Sequence, residues 1–157
     1  MAIIVGKMAE KDFPLYQKTL VKEYAKDKIK AGTWAEEGAL QKAEEQLQTL
    51  LPKGVHSPCH YFLSITKEPT KEIVGYLWYH LDLNNRFKEA FIYDFVINEK
   101  EQGKGYGTKA LEILDDHIKQ QGGKKITLHV FAHNEKAIHL YKKMQFQTRD
   151  LVMSKDL

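Results

Sequence analysis

The chain has almost no cysteine: Cys59 stands alone among 157 residues. A single thiol excludes an internal disulfide and suits a reducing compartment. Long apolar runs are missing too, since no stretch approaches the roughly 20 residues that span a bilayer. The start, Met1-Ala-Ile-Ile-Val-Gly, has neither the basic flank nor the apolar core of a signal peptide, so a cytoplasmic setting with no membrane partner is expected. Charge of one sign is not in excess, because 24 basic against 21 acidic residues give a formal net charge of +3. That balance gives little support for a nucleic-acid partner, although a weakly basic chain suits an anionic ligand. Metal-binding patterns are also lacking. His129, His133 and His139 lie close in sequence but fall on a strand, a loop and a helix, with no H-E-x-x-H or cysteine pair. Packing or surface roles are expected for them, and no metal.

What remains is an ordinary globular composition, 43% hydrophobic and 29% charged. Residues 1–157 are most simply one domain with a sizeable core. Ala2–Val5 reads as a short β-branched strand. Asp12 and Pro14 mark a helix start, followed by Phe13, Tyr16, Leu20 and Tyr24 at helical spacing. Thr33-Trp34-Ala35-Glu36 has the form of a capping box for a second helix carrying Leu40, Ala43, Leu47 and Leu50. His60–Thr66, Glu72–Leu81 and Glu89–Ile97 read as strands, the first two joined by a hairpin turn. A helix over 105–121 ends at Gly122-Gly123. Ile126–Phe131 is another strand, Asn134 suits an N-cap, and Ala137, Leu140, Tyr141 and Met144 mark the helix after it. Gln147–Lys155 completes the order β-αα-βββ-α-β-α-β as a last strand. This order implies an α/β fold with helices packed on the faces of the sheet, and a ligand site beyond the C-terminal end of a strand.

The glycine run lies at such an end. Gln102-Gly103-Lys104-Gly105-Tyr106-Gly107-Thr108 follows an apolar strand and opens a helix. A turn of this kind leaves backbone N–H groups bare at a helix N-terminus, where a diphosphate can be cradled. It is not a P-loop, because no lysine separates Gly107 from Thr108. It also fits the dinucleotide fingerprint poorly, since the glycines fall at 103, 105 and 107 rather than as G-x-G-x-x-G.

Gln102-x-x-Gly105-x-Gly107 resembles the Q/R-x-x-G-x-G/A motif of the GNAT superfamily of N-acetyltransferases. Val130, Asn134, Ala137, Leu140-Tyr141 and Phe146 match the second half of that family's pattern, so the likeness covers about residues 91–146. It implies a mixed, mostly antiparallel central sheet with helices on both faces, and acetyl-CoA as co-substrate. The amides of Gly103, Lys104, Gly105, Tyr106, Gly107 and Thr108 would hold the pyrophosphate, with side chains at the three glycines blocking its approach. Phe95, Val96 and Ile97 would offer backbone groups to the pantetheine arm, as an added strand does, and one amide would polarise the thioester carbonyl. Asn134 would contact the CoA arm or an ordered water, beside its own capacity as an N-cap.

The resemblance further implies direct attack by a primary amine, with no acyl-enzyme, and a tyrosine, here Tyr141, that gives the departing thiolate a proton. The base stays open. Asp94 lies in the strand before the loop, alternating with Ile92 and Val96, and could accept the amine proton or anchor a cationic substrate. His80, Glu99 and Glu101 are the other candidates. The acceptor is equally open among polyamines, aminoglycosides, amino acids and peptide amines, and family habit adds a homodimer. A non-catalytic CoA-binding module is the competing reading. Two departures stand out: Gln145 where the family usually has glycine before Phe146, and Glu99 where proline is common. A non-glycine residue in a left-handed conformation at 145 would be strained by about 1 kcal/mol.

Overall fold

A computed structural model describes residues 2–157, so Met1 of the leader reading lies outside the described residues. Five strands form one sheet in chain order: β1 (Ile3–Lys7), β2 (His60–Lys67), β3 (Glu72–Leu81), β4 (Glu89–Ile97) and β5 (Lys125–Leu128). β1 to β4 are antiparallel neighbours and β5 joins β4 in parallel. The helices α1 (Phe13–Lys30), α2 (Ala39–Leu50), α3 (Tyr106–Gln120) and α4 (Glu135–Lys143) complete the order. Among the described residues, no helix is long and apolar enough to cross a membrane.

The two faces of the sheet carry different cores. Phe13, Tyr16, Val21, Ala25, Ala43 and Leu47 of α1 and α2 bury against Phe62 and Trp78. On the opposite face Leu111, Leu114 and Ile118 of α3 and Tyr141 of α4 pack on Leu77, Tyr79 and Ile92. Tyr106 and Ala110 close the same side over Ile65, Val74 and Ile97. Alternation along the strands therefore buries both faces, as the mixed element order implies.

Three local expectations are corrected. Thr33-Trp34-Ala35-Glu36 is no capping box, because the amides of Thr33 and Trp34 both donate to the Lys28 carbonyl and belong to the end of α1. α2 starts later, after Gly38 in a left-handed conformation (φ 77°), and Leu40 faces solvent. Residues 147–155 form no strand: they carry no ladder pairing, and Leu151, Val152 and Met153 are exposed. The one apolar stretch there, Leu151-Val152-Met153, has no ladder partner, and local propensity without one does not make a strand.

The third correction positions the site. Trp78 pairs with Asp94 while Tyr79 pairs with Ile92, so Tyr93 is an extra residue, a β-bulge. A bulge breaks the strict alternation of β4. Ile92 enters the α3–α4 core, whereas Asp94 reaches Tyr16 of α1 on the other face. The alternation of Asp94 with Ile92 read from the sequence does not hold.

Candidate active site

The phosphate-loop candidate begins where β4 ends. The Gln102 side chain donates from Nε2 to the Ile97 carbonyl at 2.9 Å, tying the loop to the strand that precedes it. Glu101, only 4% exposed, receives Lys67 at 3.3 Å and Lys104 at 3.0 Å. These ammonium groups, Lys104 first, hold its carboxyl below the usual range. Glu101 thus clamps the loop to β2, and the Lys104 ammonium is engaged with it. Glu99 lies exposed in the short 3-10 turn just before.

Gly103 and Gly105 have φ of 80° and 84°, conformations that L side chains rarely adopt. A Cβ at either would meet nothing within 4 Å, so their glycine requirement is conformational. At Gly107 the reason is packing: a Cβ would lie 3.0 Å from Leu140 Cδ2 of α4 and 3.8 Å from Phe95 Cζ of β4. Tyr106 anchors the turn with a buried ring, so its share in any ligand contact is backbone. α3 starts at Gly105 without a side-chain cap, and Thr108 lies in its first turn. The first-turn N–H groups of an α-helix have no intrahelical acceptor and carry the positive end of the dipole. α4 differs: Asn134 Oδ1 accepts from the Ala137 amide at 3.4 Å, so Asn134 caps its own helix.

The parallel pairing of β4 with β5 stops at Ile92 and Leu128, although β4 continues to Ile97. The stretch 93–97 therefore keeps one edge outside the ladder. Part of that edge has protein partners, since the Phe95 amide bonds Asp94 and the Ile97 carbonyl accepts from Gln102. The second lone pair of that carbonyl completes the edge, while the Val96 carbonyl lies toward Gly75 of β3.

Asp94 and Tyr141 stand close enough for the Asp94 charge to act on the Tyr141 phenol. The Tyr16 hydroxyl donates to Asp94 Oδ2 at 2.7 Å. Burial pushes the Asp94 carboxyl up to about 6, against the opposing pull of the Tyr16 hydroxyl and Phe95 amide, with Asp27 adding a smaller upward push. Tyr16 is itself raised, by burial first and then by Asp94. Tyr141, 9% exposed, has its ring 6.4 Å from Phe95 and 5.5 Å from Phe146. Burial and then the Asp94 charge raise its phenol, so the hydroxyl keeps its proton at neutral pH. The helix end fixes this ring: Phe146 N–H donates to the Tyr141 carbonyl and Gln145 N–H to that of Lys142, a Schellman motif. Gln145 occupies the left-handed position, φ 72°, that its departure from glycine led us to expect.

His80 is not brought to Asp94. It packs against His60, ring centroids 4.7 Å apart, further along the β2–β3 ladder. His133 pairs with Asp27 at 2.8 Å and stacks on Phe131. The sequence reading missed Tyr16 as the partner of Asp94. Its only signal was a hydroxyl in an otherwise apolar helical stripe.

Comparison with known proteins agrees with this geometry. The model of the acetyltransferase (GNAT) family matches residues 19–146. The chain is 43% identical to the uncharacterized N-acetyltransferase YycN of Bacillus subtilis over all 157 residues, the full length of both. The crystal structure of YycN superposes with a TM-score of 0.95 at 42% identity, covering 99% of each chain. A spermine/spermidine N(1)-acetyltransferase of the same organism is 34% identical over 94 residues, 57% of this chain and 62% of its own.

Proposed function

This chain belongs to the acetyltransferase (GNAT) family, and on that premise we propose that it moves acetyl from acetyl-CoA to a primary amine by direct attack in a ternary complex. One observation carries the reading. An edge of β4 outside the ladder at residues 93–97, beside Asp94 and within reach of Tyr141, is followed after one 3-10 turn by an uncapped, glycine-built helix start at Gly105. A transfer reaction fits the first part and an anion the second.

The backbone of Gly103–Thr108 holds the pyrophosphate, and the free edge of β4 orients the pantetheine arm. Acetyl-CoA supplies a thioester carbon that accepts the amine lone pair: a C–N bond forms and the C–S bond breaks. The sum is R–NH3+ plus acetyl-CoA giving R–NH–CO–CH3, CoA–SH and H+. Asp94 takes the ammonium proton, a role suited to a carboxyl held at about 6 rather than near 4. Tyr141 holds a proton for the leaving sulfur, and recovers one from the attacking nitrogen or from water. A β4 amide stabilises the charge that grows on the carbonyl oxygen.

Acetyl-CoA assayed with a thiol reagent across a broad amine panel tests this. Amine-dependent thiol release with saturable acetyl-CoA is the expected result. Calorimetric CoA binding with no release for any amine would leave a binding module instead.

A further inference from the structure

We propose that the acceptor is a primary amine carried on an apolar body, aryl or branched alkyl, seated between α1, α2 and the β3–β4 ladder. This deepens the acetyl-transfer reading and rests on it. A cavity of about 220 Å3 lies there, walled by Leu20, Val21, Leu47, Leu50, Trp78 and Tyr93, with Tyr24, Ala43 and Gln46 completing it. At roughly 30 Å3 per water, it holds about seven waters, the space of one ring or branched chain.

The cavity adjoins the proposed chemistry through Tyr93, the chain neighbour of Asp94. Tyr93 and Asp94 are the two residues that the bulge sets opposite Trp78, and the Tyr93 ring stacks on Trp78 at 4.6 Å. Leu20 stands one helical turn beyond Tyr16, whose hydroxyl holds Asp94. A body filling the cavity therefore leaves a short arm to carry nitrogen to the carboxylate.

Its lining also argues against a polycation. No carboxylate or ammonium lines it, and its one amide, Gln46, accepts from the Tyr24 hydroxyl at 3.3 Å. Charges of both signs stand outside it: Lys28 lies 5.5 Å over the Tyr24 ring, Lys28 and Lys42 flank Trp34, and Glu45 stands beside Gln46 on α2. Asp27, the carboxylate on this side of α1, is paired with His133. A second ammonium buried in the cavity would find no carboxylate partner in its lining.

The test compares kcat/KM by thiol release for 2-phenylethylamine, isoamylamine, ethylamine, spermidine and phenylalaninamide. The two apolar monoamines should exceed ethylamine tenfold or more, each buried methylene contributing about fourfold at ~0.8 kcal/mol. Spermidine should fall below both. Leu20→Trp, which fills the cavity, should cut the phenylethylamine-to-ethylamine ratio at least tenfold. As that variant could misfold, quenching by phenylethylamine of the fluorescence of a Trp34→Phe protein, in which Trp78 is the one remaining tryptophan, gives a second readout, expected to saturate. Turnover of phenylalaninamide but not phenylethylamine would keep the apolar body and place the amine on an amino acid or peptide. Preference for spermidine, or a ratio indifferent to Leu20→Trp in a folded variant, overturns the inference. Saturable quenching with no acetylation of any amine overturns the transfer reading and upholds the cavity's chemistry. Neither quenching nor turnover overturns both.

Discussion

The two faces of β4 are built on different principles. Toward α3 the site is main chain: two left-handed glycines, an uncapped helix start and a strand edge outside the ladder. Toward α1 it is side chain: Asp94 held by Tyr16, beside an apolar cavity floored by Trp78 and Tyr93. A backbone site requires glycine at fixed offsets, because few other residues reach positive φ. A side-chain site imposes no such spacing, because many residue combinations give the same cavity. On the proposed function, the glycine-built face would serve the coenzyme with little freedom of sequence, and the cavity face would leave the acceptor open to change.

Substitutions can break this division, and the largest effect is expected at Asp94. Asp94→Asn should lower kcat/KM for the preferred amine by about 10² to 10⁴, with calorimetric acetyl-CoA affinity held within about twofold. Its stability should move the other way. With the native carboxyl at about 6, the folded protein binds more protons than the unfolded chain from about pH 4 to 6. Stability therefore falls as pH rises through that window, by up to about 3 kcal/mol at 1.36 kcal/mol per pKa unit. Thermal melts of Asp94→Asn should lose this slope and lie above the parent most clearly at pH 7.5. Next in size, Tyr141→Phe should cost about 10²-fold in kcat with little change in acetyl-CoA binding. Unchanged turnover would remove Tyr141 from the reaction.

Gly105→Ala probes the coenzyme face alone. Its φ of 84° makes alanine strained by about 1–2 kcal/mol, so the acetyl-CoA KM should rise several-fold while the amine KM holds. A matching rise in amine KM would show the faces to be coupled. Tyr16→Phe should shift the acid limb of the kcat/KM profile to higher pH, since the lost hydrogen bond favours ionised Asp94. The deficit should be several-fold near pH 6.5 and small by pH 8.5. The smallest effect belongs to Gln145→Gly, which should raise stability by about 1 kcal/mol in denaturant melts and leave kinetics unaltered.

The sequence was most legible where periodicity or glycine spacing acts locally. β3 and β4 run over the residues expected, and α3 stops at its glycine pair. Gln102 and Gly105 are recognisable because a loop joined to a helix start admits few alternatives. Gly107 was readable as glycine but not for its reason, because the Leu140 contact comes from a helix about thirty residues away. Tyr16 stayed hidden for the same cause, its partner being 78 residues distant. The Thr33 box misled because a motif of four residues cannot show that its amides are already engaged by Lys28. In the tail, local propensity favoured a strand that has no neighbour to complete it.

Eight residues of β4, Ala90 to Ile97, run beside only seven of β3, Gly75 to Leu81. That odd count is what puts Ile92 in one layer and Asp94, two residues on, in the other. Deleting Tyr93 would restore regular alternation with Asp94 still opposite Trp78, so the carboxylate would keep its layer while the cavity lost its Tyr93 wall. A one-codon loss would thus reshape the acceptor side while sparing the carboxylate's placement.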